Sequence, residues 1–183
     1  WEKICQRLLL PSKQFRGKNI KNTSCQKMTK IISIDHKEGD EFNGLLRYLT
    51  DETGENIHDN ETVNITSNSI NTDNVKPRNL VDYSNIDTCN YCSKRDTINA
   101  YVCFDFKNRK IQLSSYSLKS FKYDPNYFHL KNWVIETSND GYHWKIIDQH
   151  INDPSLNAYK VTRTFNIRQS TEFSRFVGLR QTG

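Results

Sequence analysis

The chain has 183 residues, enough for one domain with its own core and short appendages. Two Ala against nine Phe, nine Tyr and three Trp disfavour long helices and favour strands. The formal charge of +5 does not indicate a nucleic-acid-binding domain, because residues 1–30 carry eight cations and one acid, which leaves residues 31–183 mildly acidic. No apolar run approaches the ~20 residues of a membrane helix, so we expect no transmembrane segment.

Residues 1–30 are predicted to be a basic tether outside the main domain. Apolar side chains fall at helical spacing at Trp1, Ile4, Cys5, Leu8 and Leu9. Pro11 ends that pattern, so we expect the last helix of a preceding domain, followed by a polar linker over residues 12–30. The main domain is then expected over residues 31–183.

Short apolar runs separated by polar tracts predict strands in the first half of that domain. The runs are Ile31–Ile34, Phe42–Leu49 and Val63–Ile65. The clearest strand is Ala100–Phe106, in which Ala100, Val102, Phe104 and Phe106 alternate with more polar residues. The alternation predicts one buried and one outward face.

The second half continues the same pattern with no helix between the strands. Further strands are predicted at residues 111–121, 133–138, 144–147, 161–167 and 173–179. Ser138-Asn139-Asp140-Gly141 predicts a tight hairpin turn, because Gly supplies the positive φ that such a turn needs. Successive short strands without helices indicate an all-β antiparallel sandwich or barrel.

The five cysteines are an odd number without regular spacing, which favours a reducing compartment over a disulfide framework. Cys89-x-x-Cys92 lacks the second ligand pair that a zinc site usually has, so ordinary reduced thiols are expected instead. We therefore predict no metal, no cofactor and an intracellular, cytoplasmic location.

The segment from His129 to Trp144 contains Trp133, the Ser-Asn-Asp-Gly turn and a second tryptophan at Trp144. It resembles the central signature of discoidin, or coagulation factor 5/8 type C, domains. Residues 101–106, 116–118 and 175–183 are similar to flanking parts of that family. The resemblance looks closest to discoidin-like domains of intracellular BTB-containing and related protist proteins. It implies a jelly-roll β-sandwich of the galactose-binding-like kind, with Trp133 in its core.

Domains of this family usually continue past the Gln181-Thr182-Gly183 segment into one more strand, so we expect the final strand to be missing here. Some members hold a structural calcium ion, and Asp82 lies in the matching loop region. One acidic residue does not establish such a site, and Asp82 is equally suited to cap a turn.

Loops at one end of the sandwich carry ligand binding in this family, which points to two loops here. The candidate ligand-binding residues are Tyr83, Tyr91, Phe121, Tyr123, Tyr127 and Phe128. Aromatic rings on a rigid scaffold can stack on a sugar or a partner. The alternative for the loop at residues 119–130 is that its rings cap the end of the core.

We find no nucleophile elbow, no metalloprotease His pair, no phosphate-cradling Gly loop and no dinucleotide fingerprint, so an enzyme is not expected. The leading hypothesis is a non-catalytic protein-interaction domain of a larger intracellular, BTB-type adaptor. The alternative is a carbohydrate-binding or phospholipid-binding module at a cell surface. Fold alone does not choose between them.

Overall fold

The computed structural model describes residues 31–71, 75–83, 91–94, 97–120, 129–169 and 171–183, together with the backbone of residues 4–8. Within these residues lie eight strands: β1 (Ile4–Leu8), β2 (Asn64–Ser67), β3 (Tyr101–Asp105), β4 (Leu113–Lys119), β5 (Trp133–Ser138), β6 (Lys145–His150), β7 (Thr162–Asn166) and β8 (Phe176–Gln181). One α-helix, α1 (Leu45–Thr53), and a 3-10 helix (Pro77–Val81) accompany them. In the part of the chain that is described, no helix has the length and apolarity to cross a membrane.

The strands form two antiparallel sheets. The five-stranded sheet has the order β2-β3-β8-β5-β6, and the three-stranded sheet has the order β1-β4-β7. Each pairing between these strands is antiparallel. The predicted all-β antiparallel sandwich is confirmed.

One continuous core lies between the sheets. Val102 and Phe104 of β3 are fully buried, as their alternation with Tyr101 and Cys103 predicts. Trp133 of β5 is also fully buried, and its indole N–H donates a 3.0 Å hydrogen bond to the hydroxyl of Tyr116 on β4. That bond joins the two sheets across the core.

The predicted hairpin is confirmed at its turn and in both of its strands. β5 spans the predicted residues, and β6 returns beside it. Gly141 has a φ of +80°, the left-handed conformation that glycine adopts without strain. A bulge between Ile135 and Glu136 shifts the register, so that Trp133 pairs with His150 and Ile135 with Asp148.

The predicted strand over Phe42–Leu49 is wrong, because α1 begins at Leu45. Leu45, Leu46 and Leu49 are buried on one side of this helix, a spacing that a short apolar run does not distinguish from a strand. Gly54, at a φ of +72°, ends the helix, and its N–H bonds to the carbonyl of Thr50. Residues 31–34 also form no strand, with a single bridging residue at Ser33.

The prediction of a helix at the start of the chain is also wrong for residues 4–8, the part of that segment whose backbone is described. Ile4–Leu8 is strand β1, which pairs with β4 from Ile4 opposite Leu118 to Leu8 opposite Leu113. The sandwich therefore includes a strand from the segment that the sequence assigned to the tether. A pattern of five residues is too short to distinguish a helix from a strand. Pairing with β4 makes these residues a strand.

Candidate functional site

The two ends of the sandwich are defined by the segments before and after β5. The loop end consists of residues 129–132, 151–161 and 181–183. The side chain of Asn132 joins them, because it accepts the N–H of Asn152 and donates to the carbonyl of Gly183. The hairpin end consists of residues 106–112, 138–144 and 171–175, which are joined by the Ile111–Ser174 bridge and by a bond from Asn139 to Phe173. A ligand site on loops can form at either end.

Residues on both sides of the predicted aromatic segment bond to the β6–β7 connection. Phe121, Tyr123, Tyr127 and Phe128 lie outside the described residues. On one side of them, the Ser120 hydroxyl donates to the carbonyl of Ala158 and accepts the N–H of Val161 at 3.0 Å. On the other side, the carbonyl of Lys131 accepts the N–H of Asp153 at 3.0 Å. Both flanks are thus tied to the β6–β7 connection.

The other two predicted site residues are described. Tyr91 is 1% exposed, and its hydroxyl donates to the carbonyl of Ser69, so its ring is a core residue that offers no face to a ligand. The predicted ligand-binding role does not fit that burial. Tyr83 is half-buried, and the guanidinium of Arg47 lies 5.3 Å from its ring centroid.

A polar cluster of Tyr116, Trp133, Asp148, His150 and Asp153, here named the His150 clamp, lies beneath the loop end. The His150 ring stacks on Trp133 at 4.1 Å between centroids and 9° between planes. Its Nε2 lies 3.0 Å from Asp148 Oδ2, and its Nδ1 lies 2.6 Å from Asp153 Oδ2. The Tyr116 hydroxyl donates to the same Asp148 oxygen at 2.6 Å.

Burial and hydrogen bonding shift two pKa values in the clamp. Burial, with the neighbouring Asp148, raises the pKa of Tyr116 far above its usual range, so the hydroxyl keeps its proton and stays a donor. Burial works to raise the pKa of Asp153, but hydrogen bonds from Ser155 and His150 outweigh it and hold that pKa below its usual value. Asp153 is therefore a charged acceptor at neutral pH.

The hairpin end is held by local bonds around Asp140. The carboxylate accepts the backbone N–H groups of Tyr142 and His143, both at 2.9 Å, and lies 2.7 Å from His143 Nδ1. The bond from the His143 ring, with those backbone bonds, holds the pKa of Asp140 well below its usual range. Trp144 closes the turn, since its indole N–H donates to the carbonyl of Gly141 at 3.0 Å.

The outward face of the five-stranded sheet carries two paired arginines. Arg180 makes two hydrogen bonds to Glu136, at 2.8 and 3.1 Å, and Arg175 makes two to Asp105, at 2.7 and 2.8 Å. Between them, burial raises the pKa of the Cys103 thiol to about 12, so this cysteine is not a reactive thiolate. This face is occupied by internal ion pairs.

The candidate metal residues do not come together where they are described. Cys92 and Cys103 are free thiols, and Cys89 lies outside the described residues. The carboxylate of Asp82 is 3.7 Å from the guanidinium of Arg78, in a salt bridge. Among the residues that the structure describes, no group of three or more His, Cys, Asp or Glu is placed to hold a metal ion.

The surface of the loop end presents apolar side chains near basic ones. Tyr159 is 61% exposed and Ile151 is 69% exposed, both on the β6–β7 connection. Lys160 Nζ lies 5.8 Å from the Tyr159 ring centroid. An exposed ring on a connection anchored to the sheets can stack on the apolar face of a sugar.

Sequence analysis missed the His150 clamp. The available signal was the alternation of Asp148 and His150, followed by an aspartate three residues after the histidine. That signal is weak, because only the register of β6 against β5 places both side chains on the face of Trp133.

Comparisons with known proteins place the fold among solved β-sandwich modules. No protein-family model matches the sequence, and no curated protein matches it. CpGH89CBM32-5 from Clostridium perfringens, solved with GalNAc-β-1,3-galactose, aligns with a TM-score of 0.53 at 13% identity over 67% of this chain and 86% of that one. CpGH89CBM32-6, produced by the same organism, aligns with a TM-score of 0.50 at 21% identity over 70% and 90%. The family 32 carbohydrate-binding module of C. perfringens NanJ, solved with galactose, aligns with a TM-score of 0.50 at 12% identity over 67% and 84%.

At these identities the similarity concerns the fold. It agrees with the two antiparallel sheets of this chain. The chain therefore has an antiparallel β-sandwich fold similar to that of these family 32 carbohydrate-binding modules.

Proposed function

We propose that this chain is a non-catalytic carbohydrate-binding module that takes galactose-type sugars at the loop end of its sandwich. The observation that carries the proposal is the fold shared with two modules whose structures contain galactose or GalNAc-β-1,3-galactose. Of the two hypotheses from the sequence, these neighbours favour the carbohydrate alternative. They lend no support to the intracellular protein-interaction hypothesis, to closeness with BTB-associated proteins or to a cytoplasmic location, which stay predictions.

The loop end suits such a ligand better than the hairpin end does. Its connections bring together exposed Tyr159, Lys160 and the flanks of the predicted aromatic segment, and sugars are recognised by rings combined with a few polar groups. At the hairpin end, the polar groups of Ser138, Asp140 and His143 already bond to one another or to the turn backbone. Fewer groups are thus left there for a ligand.

Calorimetric titration with galactose, GalNAc-β-1,3-galactose and glucose tests the proposal. We expect binding of the two galactosides and at least tenfold weaker binding of glucose. Tyr123→Ala or Tyr127→Ala should weaken galactoside binding by about tenfold, because a stacking ring contributes on the order of 1 kcal/mol. Tyr142→Ala is the matched control, since Tyr142 is an 86% exposed ring at the hairpin end.

Two outcomes would contradict the proposal. Absence of galactoside binding at millimolar concentrations, with retention on phospholipid vesicles or capture of a protein, would reject the sugar ligand. An equal loss of affinity in Tyr142→Ala would move the site to the hairpin end.

A further inference from the structure

His150 has both ring nitrogens against carboxylates, an arrangement that the proposed function does not explain. Nε2 faces Asp148 at 3.0 Å and Nδ1 faces Asp153 at 2.6 Å, while the ring lies flat on Trp133. The edge of Phe165 meets the ring at 4.8 Å between centroids. The side chains of His150 and Asp153 are 19% and 21% exposed, so water competes only weakly for these bonds.

A carboxylate accepts hydrogen bonds and donates none, so His150 can bond to both aspartates only when both of its nitrogens carry hydrogen. The described titratable groups that face the ring are Asp148, Asp153 and, through Asp148, Tyr116. β5 and β7 face it with the uncharged rings of Trp133 and Phe165. The doubly protonated ring is thus the form that can donate to both aspartates at once.

The clamp is connected to the proposed binding end through Asp153. The backbone N–H of Asp153 donates to the carbonyl of Lys131, next to the predicted aromatic segment. The other carboxylate oxygen of Asp153, Oδ1, accepts the N–H of Ser155 at 2.8 Å and shapes the turn of the β6–β7 connection. Asp153 thus holds the β6–β7 connection through its carboxylate and contacts Lys131 through its backbone N–H.

We infer that His150 is a positioning residue whose imidazolium holds the β6–β7 connection in place beside Lys131, so that ligand affinity at the loop end depends on the charge of this ring. The part concerning affinity rests on the proposed function, whereas the part concerning the loops does not. A neutral ring donates through one nitrogen, which leaves one aspartate facing a lone pair. Loss of the proton then loosens the connection, and affinity falls as pH rises.

The first experiment measures galactose affinity at about pH 6 and about pH 9, on either side of the ordinary titration range of histidine. We expect the wild type to lose roughly threefold to tenfold in affinity at the higher pH. His150→Gln should bind more weakly at about pH 6 and show no pH dependence, because the amide does not titrate. His143→Gln is the matched control, since His143 also pairs with an aspartate three residues away, and it should keep the wild-type pH profile.

Hydrogen exchange on the ligand-free protein tests separately whether His150 holds the β6–β7 connection in place. The amides of Asp153 and Ser155 should lose protection between about pH 6 and about pH 9 beyond the intrinsic rate change, while the amides of Tyr142 and His143 should not. Asp153→Asn, which keeps an acceptor at that position, should reduce the pH-dependent loss at Ser155. It provides a second variant if His150→Gln fails to fold.

The outcomes separate the two proposals. If no galactoside binds the wild type, the proposed function fails, and the exchange experiment still decides the inference. If exchange at Asp153 and Ser155 is independent of pH, or if His150→Gln keeps the wild-type pH profile of affinity, the inference is wrong.

Discussion

Two histidine–aspartate pairs with the same separation of three residues lie at opposite ends of the sandwich. At the hairpin end, Asp140 and His143 bond at 2.7 Å with side chains that are 50% and 92% exposed. At the loop end, His150 and Asp153 bond at 2.6 Å with side chains that are 19% and 21% exposed. The distances are nearly equal, so the difference between the pairs lies in their surroundings.

That difference determines what each pair can do. Around Asp140, water and salt screen the charges, and the backbone bonds to Tyr142 and His143 hold the turn without the ring. Around His150, a ring stack and a second carboxylate share the same site, so removal of the ring takes a hydrogen-bond donor from two partly buried carboxylates. Burial, and not sequence spacing, therefore determines how much such a pair contributes to stability.

The largest expected effect is the loss of stability on replacing Trp133, compared with the loss on replacing Trp144 at the hairpin end. Trp133→Ala should lower the free energy of unfolding by about 3–5 kcal/mol, because it opens a cavity and removes both the bond to Tyr116 and the support of His150. Trp144→Ala should cost less than half as much, since that ring is only partly buried over Gly178. Urea unfolding followed by circular dichroism measures both, and equal losses would contradict the proposed difference between the ends.

The next effect compares the histidines themselves. His150→Ala should destabilise by about 1–3 kcal/mol, because Asp148 and Asp153 lose their shared donor in a partly buried site. At about pH 8, His143→Ala should change the urea midpoint much less than His150→Ala does, since the His143 ring lies in solvent. A loss at His143 that matched the loss at His150 would show that the bond, and not its burial, sets the cost.

A smaller effect tests whether backbone conformation holds the hairpin end. Gly141→Ala should destabilise by about 1 kcal/mol, because its φ of +80° is strained for a residue with a Cβ. Gly141→Asn should cost less, since Asn tolerates the left-handed region. If thermal unfolding placed the two variants together, contact with the nearby Phe176 ring would be the better explanation of the loss.

The smallest effect is a pH dependence at the hairpin end. The bond to Asp140 raises the pKa of His143 above its ordinary 6.5. Its contribution to stability is then fully present below pH 6.5 and is lost as pH rises through the folded-state pKa. A slight advantage of the wild type over His143→Gln at about pH 5.5 should disappear by about pH 9, and about 1 M salt should remove it. Persistence of that advantage in high salt would contradict a screened surface pair.

Much of the fold was predictable because it depends on local patterns. The alternation in β3 and the turn chemistry at Ser138–Gly141 fix faces and register within a few residues. α1 and β1 were not predictable in this way, because runs of five to nine residues with three or four apolar positions fit either period. For the candidate site, the sequence indicated the ring-rich segment at residues 119–130, and the structure shows that Ser120 and Lys131 beside it bond to the β6–β7 connection.

The sequence by itself determined an antiparallel β-sandwich with an aromatic core and a tight hairpin at Gly141, since those features follow from side-chain alternation and from a turn that needs glycine. Only the tertiary structure decided that Tyr91 is buried, that Ile4–Leu8 joins a sheet, and that His150 lies between two aspartates on Trp133. The physical reason is that burial and charge depend on neighbours from distant parts of the chain. The bulge between Ile135 and Glu136 sets the register that brings those neighbours together.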